Sequence, residues 1–542
     1  MFAQAPTSPS VTPLIVLAIY LGLLLTLATF SGRLFRGTSK DFFVASHSIG
    51  PFMLLMSVFG TTMTAFALVG STGKAFQLGI GTYGLMASSS GLIHAACFFL
   101  IGIKVWAIAK RHGYVTQIQF FRSRFESNAL GYLLFPFLVG MVIPYLLIGV
   151  MGSYKVIGPL TTGMFPEAFA STNGSVPDWI TGLVICLVVL TYIFAGGSRA
   201  AAWANTFQTI VFMAMGVLAF TLIANKLGGF AAASEAANPG HAVRTLSEVN
   251  VVPKNGESFL REIGIPPITF FTYMFIPLSV GMFPHLFQHW LTAKSAKSFK
   301  LMVIAHPLCI MIVWVPCVLI GFWASGVFTP DAINLPKPLI GILQGLPNES
   351  VGAVLSLTLK FIVQHPIVVG LVTAGILAAI MSSLDSQFLC VGTIFTNDIV
   401  LHATKKDRFS EKQIILIARS FIVLIVIITY ALSLMHVNNV FDMAVWAFSG
   451  FAALTPLVFA ALYWRGATKA GAFASVIASM GVWLYYFKKS GWGGEYSVNG
   501  IMPVALAFAA GAVAMIVVSL FTKKPSEETI RKFFADRPKG IA

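Results

Sequence analysis

Apolar residues come along this chain in long unbroken blocks rather than in the alternation of a half-buried strand. About thirteen blocks are long enough to cross roughly 30 Å of hydrocarbon as a helix. Their approximate limits are 12–30, 50–77, 82–109, 128–152, 178–197, 200–224, 267–292, 299–327, 366–400, 412–435, 438–464, 468–488 and 499–522. A further helix over about 351–364 is expected outside the bilayer before the ninth block. The pattern therefore predicts an all-α polytopic membrane protein with the lipid bilayer as its surroundings.

Two of these blocks are interrupted, and they stand five apart. The second reads "PFMLLMSVFGTTMTAFALVGSTG", with Gly60-Thr61-Thr62 in mid-membrane. The seventh reads "PPITFFTYMFIPLSVGMFPHLFQHWL", where Pro277, Ser279, Gly281 and Pro284 spoil the helix. Proline removes a backbone hydrogen bond and glycine weakens a helix interior. In a bilayer, freed backbone survives only where protein or a watery cavity satisfies it. Broken helices in corresponding positions of two halves point to a transporter site near the midplane.

The ninth block carries polar residues where the pattern predicts none: "GILAAIMSSLDSQF", residues 375–388. At about 100° per residue, Ala379, Ser382, Ser383 and Ser386 form one stripe, flanked by Asp385 and Gln387. A hard cation such as Na⁺ takes several oxygens, and hydroxyls with backbone carbonyls supply them without fixed charge. The remaining ligands would come from the unwound segment 60–63. Serines also serve at close helix contacts, bonding the carbonyl one turn back. An aspartate within a span is expensive and faces the protein interior, which makes Asp385 a functional candidate.

Composition agrees: 57% of the 542 residues are hydrophobic and only 10% charged, against about 25% charged in soluble domains. The net charge of +16 does not indicate nucleic acid, because the bases fall in alternate loops. Arg33, Arg36 and Lys40 follow the first block; Lys110, Arg111, Arg122 and Arg124 the third. Lys294, Lys297 and Lys300 follow the seventh; Lys405, Lys406, Arg408 and Lys412 the ninth; Lys523 and Lys524 the last. The positive-inside rule then sets the N-terminus outside and the C-terminus in the cytoplasm, in what reads as a bacterial plasma membrane. "MFAQAPTSPS" has no basic n-region, so the first block reads as a retained span. All five cysteines lie in apolar blocks, and no metal-binding or nucleophilic cluster suggests an enzyme. No obligate protein partner is evident.

At this point the residues resemble the sodium/solute symporter family. "DFFVASHSIGPFMLLMSVFGTTMTAF" is similar to its approach to core helix one. "GGSRAAAWANTFQT" and "PHLFQHWLTAKSAKSFK" resemble core helices five and six, and "AGILAAIMSSLDSQFL" with "TNDI" resembles its sodium-binding helix eight. The resemblance covers about residues 41–465. It implies a leucine-transporter-type core of two inverted five-helix repeats with one helix before and two after. The corresponding divisions are 1–49 (extra helix and loop), 50–224 (first repeat), 225–266 (extracytoplasmic loop), 267–464 (second repeat) and 465–542 (two helices and a tail). It implies Na⁺-coupled uptake of a small organic solute by alternating access. It assigns sodium to the backbone oxygens of Gly60, Met63 and Ala379 and the hydroxyls of Ser382 and Ser383.

Two departures matter. Some relatives carry an aspartate in core helix five, where this chain has Asn205 in Trp203-Ala204-Asn205-Thr206-Phe207-Gln208. Asp385 and Ser386 stand where a relative has hydroxyls, so the charge has moved between helices. A second cation or proton site is expected at Asn205, Ser382, Asp385 and Ser386. An aspartate near the first-helix break of proline-transporting relatives is replaced by Thr62.

For the solute, the expected border is Thr64, Ala65, Phe66, Pro277, Ser279, Val280 and Gly281. Ile276 and Val280 stand where proline-transporting relatives have aromatic contacts, which argues against proline. Few donors disfavour a sugar, and half-helix N-termini can hold a carboxylate without arginine, so a monocarboxylate or amino acid is expected. Proton coupling and a transporter-like sensor are the alternatives. His94 reads as a pathway residue, a proton relay or a packing histidine; His306 and Arg419 read as snorkelling side chains, and Lys360 and His365 as surface residues.

Overall fold

The computed structural model describes residues 10–33, 35–237, 265–327, 352–404, 408–435 and 440–534. Most of the expected 225–266 loop, and Lys405 and Lys406, lie outside the described residues. Among these residues the chain is helical, with only two isolated β-bridges. Ten helices are long and apolar enough to cross a membrane, or eleven when Pro267–Gly281 and Pro284–Thr292, bent by 47°, are taken as one broken span.

Two of the ten are too long for a single crossing. Asp178–Lys226 has 49 residues and Phe66–His112 has 47; at about 1.5 Å per residue each would extend past 70 Å, more than twice the hydrocarbon thickness. Each contains its own reversal. Gly79 has φ 68° and ψ −156°. Gly196 and Gly197 leave the helical region, Gly197 with φ 55° and ψ −138°. A Cβ on Gly197 would lie 2.5 Å from the Phe42 carbonyl oxygen. Only glycine fits that backbone and that approach. Divided there, and with Pro51–Thr62 joined to Phe66–Leu78 as one broken span, the described residues make thirteen candidate crossings.

Local chemistry explains many of the helix starts. Prolines open Pro51–Thr62, Pro284–Thr292, Pro366–Ile394 and Pro503–Phe521, where a missing N–H is harmless. Hydroxyls open others: Thr116, Ser127 and Thr468 each accept the backbone N–H three residues on, and Ser410 forms a capping box with Gln413. Burial sorts the spans. Of their most apolar stretches, 83% is buried in Pro366–Ala403 and 94% in Val440–Tyr463, but only 28% in Thr12–Gly32 and in Pro503–Phe521. The ninth and eleventh spans are therefore central, and the first and last present Ile15, Ile19, Val513 and Ile516 outward as a lipid-facing surface.

The basic residues on one face are partly structural. Arg199 Nη2 donates to Asp41 Oδ1 at 2.7 Å, Arg122 Nη2 to the Asp398 carbonyl at 3.0 Å. Buried Arg124 caps the end of Thr455–Tyr463 by donating to the carbonyls of Ala461 and Trp464, both at 2.9 Å. Ser198 Oγ and Gln288 Nε2 both donate to the Phe43 carbonyl. Three of the four sequence motifs singled out above thus meet in space.

Candidate ion- and solute-binding sites

The second span stays helical through Thr62 and breaks at Met63 and Thr64, slightly later than expected. Glycine at 60 therefore does not unwind the chain; it permits close approach. A Cβ there would lie 2.3 Å from Thr209 Oγ1 on the sixth span. A helix that stops at Thr62 leaves its last carbonyls without intrahelical donors, and Gly60's is among them. Ser382 Oγ lies 2.8 Å from the Gly60 carbonyl oxygen and 2.9 Å from that of Ala379. Three oxygens converge with a single hydroxyl hydrogen between them, and because the Ala379 carbonyl also takes the Ser383 N–H of its own helix, Gly60's is the one left short of a donor whenever the hydroxyl turns to Ala379. A small cation meets that need. Met63 is fully buried at the break, while Ser383 Oγ bonds its own helix at the Ile380 carbonyl, 2.9 Å. The structure joins Gly60, Ala379 and Ser382 directly, and leaves Met63 and Ser383 adjacent along the chain.

One turn further along the ninth span, Ser386 Oγ is a hub. It receives Asn205 Nδ2 at 3.0 Å, lies 2.9 Å from His289 Nε2, and donates to Asp385 Oδ1 at 2.8 Å. Of the expected grouping, Asn205, Asp385 and Ser386 are thus brought together, while the Ser382 hydroxyl bonds Gly60 and Ala379 instead. Asp385 Oδ2, Asn205 Oδ1, both amide atoms of Gln208 and the Tyr20 hydroxyl are buried without hydrogen-bond partners. Tyr192 borders the same carboxylate, with Gln208 and Tyr20 beside Tyr192. Buried polar atoms are nearly always satisfied, which makes this ring of unpaired atoms around a carboxylate the candidate for the expected second cation or proton site.

A cavity of about 30 Å³, the candidate solute site, lies at the two breaks. The seventh span is helical to Tyr273, winds tightly over Ile276–Gly281 and restarts at Pro284. Phe66, Pro277, Ser279 and Val280 line the cavity as expected. Thr64, Ala65 and Gly281 are buried away from it: Ala65 packs on Gly152 and Gly281 against Ile101. The aromatic wall is interlocked, Phe448 lying 4.8 Å from Tyr145, 5.2 Å from Phe66 and 5.4 Å from Phe283 between ring centres.

On the polar side of this cavity Thr62 and Ser90 were missed by sequence reasoning, while His94, for which a pathway position was one of the readings, lines it with them. Ser90 and His94 stand one helical turn apart, a spacing that marked a shared face. The snorkelling reading of His306 is corrected: it is fully buried, 3.2 Å from Thr62 Oγ1, and its ring meets His94 at 5.4 Å and Phe98 at 4.9 Å. Nδ1 of both histidines has no partner. Its place near a span's end suggested water, but the bend of the second span carries Thr62 to it instead. Lys360 is likewise tied down, donating to the carbonyls of Pro159 and Thr162, and Arg419 to that of Phe194.

Comparison with known proteins fits this geometry. A family model described as the sodium:solute symporter family matches residues 42–479. A sodium/proline symporter of Staphylococcus aureus is 26% identical over 532 residues, covering 94% of this chain and 93% of the relative; that of strain JH9 matches equally. Among solved structures, a substrate-bound outward-open Na⁺-coupled sialic acid symporter superposes with a TM-score of 0.69 at 17% identity, over 95% of this chain and 99% of that one. The last likeness shows the fold, the leucine-transporter-type arrangement expected above. The chain, an integral membrane transporter and not an enzyme, belongs to the sodium:solute symporter family.

Proposed function

We propose that the protein imports a small carboxylate, driven by sodium bound among the oxygens of Gly60, Met63, Ala379, Ser382 and Ser383. The observation that carries the sodium site is the cluster of three oxygens sharing one hydrogen at Ser382. Binding there requires Ser383 to turn from the Ile380 carbonyl toward the break. The repeats are 50–224 and 267–464, with the helix before them and the two after them outside the alternating core. The N-terminus is outside and the C-terminus cytoplasmic, as the basic loops require.

The size of the solute cavity supports a small substrate. At about 30 Å³ the cavity is small, which favours a compact solute over a sugar. Ser90, His94 and Ser279 supply polar atoms on one side and Phe66, Trp314 and Phe448 an apolar wall on the other. The Pro284–Thr292 half-helix begins beside it, and its N-terminal end favours an anion. Proton coupling through the Asp385 cluster is the second reading, favoured by the unpartnered Oδ2.

The test is uptake into proteoliposomes of ¹⁴C-labelled acetate, pyruvate, lactate, alanine, proline and glucose under an inward Na⁺ gradient, with choline as control. Na⁺-dependent accumulation of a two- to four-carbon carboxylate is expected, and His94→Ala should lower it. Accumulation driven by a pH gradient but not by Na⁺ selects the second reading; glucose as the accumulated solute refutes the carboxylate.

A further inference from the structure

His289 enters the Ser386 hub from the seventh span. It lies buried on the half-helix Pro284–Thr292, and its Nε2 is 2.9 Å from Ser386 Oγ. The hydrogens of the hub can be placed by counting. An ionised carboxylate only accepts, and a serine hydroxyl has one hydrogen and two lone pairs. Ser386 Oγ is 2.8 Å from Asp385 Oδ1, so its hydrogen points there. Its lone pairs then face Asn205 Nδ2 at 3.0 Å and His289 Nε2 at 2.9 Å. Asn205 Nδ2 is always a donor. His289 Nε2 must be one too, because a bare nitrogen at that distance would set lone pair against lone pair. The hub therefore fixes His289 in its Nε2–H tautomer.

With both lone pairs taken, the hydroxyl has one direction left for its hydrogen, and that direction is Asp385 Oδ1. Without the histidine donor the hydroxyl can rotate, and the Ser382 carbonyl, 3.3 Å away, is the competing acceptor. Asp385 Oδ1 would then lose the donor that orients the carboxylate. The same hub sets the direction of the Asn205 amide. With Nδ2 on Ser386, Oδ1 is the atom left unpartnered, as are Asp385 Oδ2 and Gln208 Oε1. A proton needs one acceptor, whereas a hard cation needs several oxygens, so this set suits a cation.

We propose that His289 is a positioning residue of a second Na⁺ site: its Nε2–H holds the Ser386 hydroxyl on Asp385 Oδ1, and so presents Asp385 Oδ2 and Asn205 Oδ1 to the ion without touching it. The inference rests on the reading of the Asp385 cluster as a second ion site and adds the residue that shapes it. Outer partners of this kind govern metal affinity by about 10- to 100-fold.

The test is equilibrium binding of ²²Na⁺ to purified protein at constant ionic strength in choline chloride, which counts ions without needing a solute. His289→Gln keeps an N–H donor close to the place of Nε2, and His289→Leu keeps the bulk but not the donor. Asp385→Asn removes the site's charge. Wild type and H289Q should bind two ions with similar affinity. H289L should bind one in that range and the second about 10- to 100-fold more weakly, and D385N should bind one. A histidine that only packs would be replaced better by leucine than by glutamine, so rescue by H289Q alone separates the two roles. Equal weakening in H289Q and H289L, or two ions at wild-type affinity in H289L while D385N binds one, overturns the positioning role and leaves the second site standing. One ion in wild type, or two in D385N, fails the second-site reading and takes this inference with it. Should H289L not fold, His289→Asn, too short to reach Ser386, stands in for it with the same expected loss.

Discussion

Ser382→Ala separates an ion ligand from a packing serine. The hydroxyl bridges the second and ninth spans, 2.8 Å from Gly60 and 2.9 Å from Ala379. Its loss removes one interhelical hydrogen bond, about 1 kcal/mol whatever the salt. It also removes one ligand from the ion, and a hydrogen-bonding partner of a charge contributes about 1.5–3 kcal/mol, roughly a 10- to 150-fold weaker Na⁺ dissociation constant. A ligand at 100 times its Kd stabilises the folded state by about 2.7 kcal/mol; a tenfold weaker site leaves about 1.4 kcal/mol and a hundredfold weaker one about 0.4 kcal/mol. Thermal unfolding of purified protein, titrated with NaCl at constant ionic strength in choline chloride, reads both effects. The variant should melt slightly lower in choline and gain far less from Na⁺. A variant that loses stability equally in both salts, with the full Na⁺ increment intact, refutes the ion site and leaves a helix contact.

Ser383→Ala should weaken Na⁺ binding by a similar factor in the same titration, because its hydroxyl must also turn to the ion. Asp385→Asn should change the Hill coefficient for Na⁺ or the pH profile of uptake; if neither moves, the cluster around Ser386 is structural. Arg124→Lys should destabilise the protein by about 2 kcal/mol, since an ammonium cannot hold the Ala461 and Trp464 carbonyls together as the guanidinium fork does, while uptake KM stays at the wild-type value. Gly197→Ala should cost at least about 2 kcal/mol through its positive φ and the Phe42 carbonyl, seen as loss of monodisperse protein on size-exclusion chromatography.

Much of this was legible in the sequence because the bilayer simplifies the problem. Twenty apolar residues announce a span, and helical spacing placed Ala379, Ser382, Ser383 and Ser386 on one face before any neighbour was known. What periodicity cannot give is the identity of the neighbour. Tyr20 reads as one aromatic residue in a peripheral helix, yet it reaches the surroundings of Asp385. His306 sits where water was expected and is enclosed instead, because the second span bends toward it. The register of that bend was also missed: glycine and threonine at 60–62 weaken a helix, but the chain stays helical there because the sixth span packs directly against Gly60.

The oxygens gathered around Ser382 carry no net charge, and this has an electrical consequence. A site made of carbonyls and hydroxyls takes nothing across the membrane field when it returns empty. The potential then does its work on the ion alone, about 2.3 kcal/mol per 100 mV for each elementary charge that crosses. One Na⁺ travelling with one carboxylate anion would cancel and leave transport indifferent to voltage. A current accompanying uptake would count the positive charges in excess of the solute, and so whether the second cluster, at Asp385, also carries a passenger.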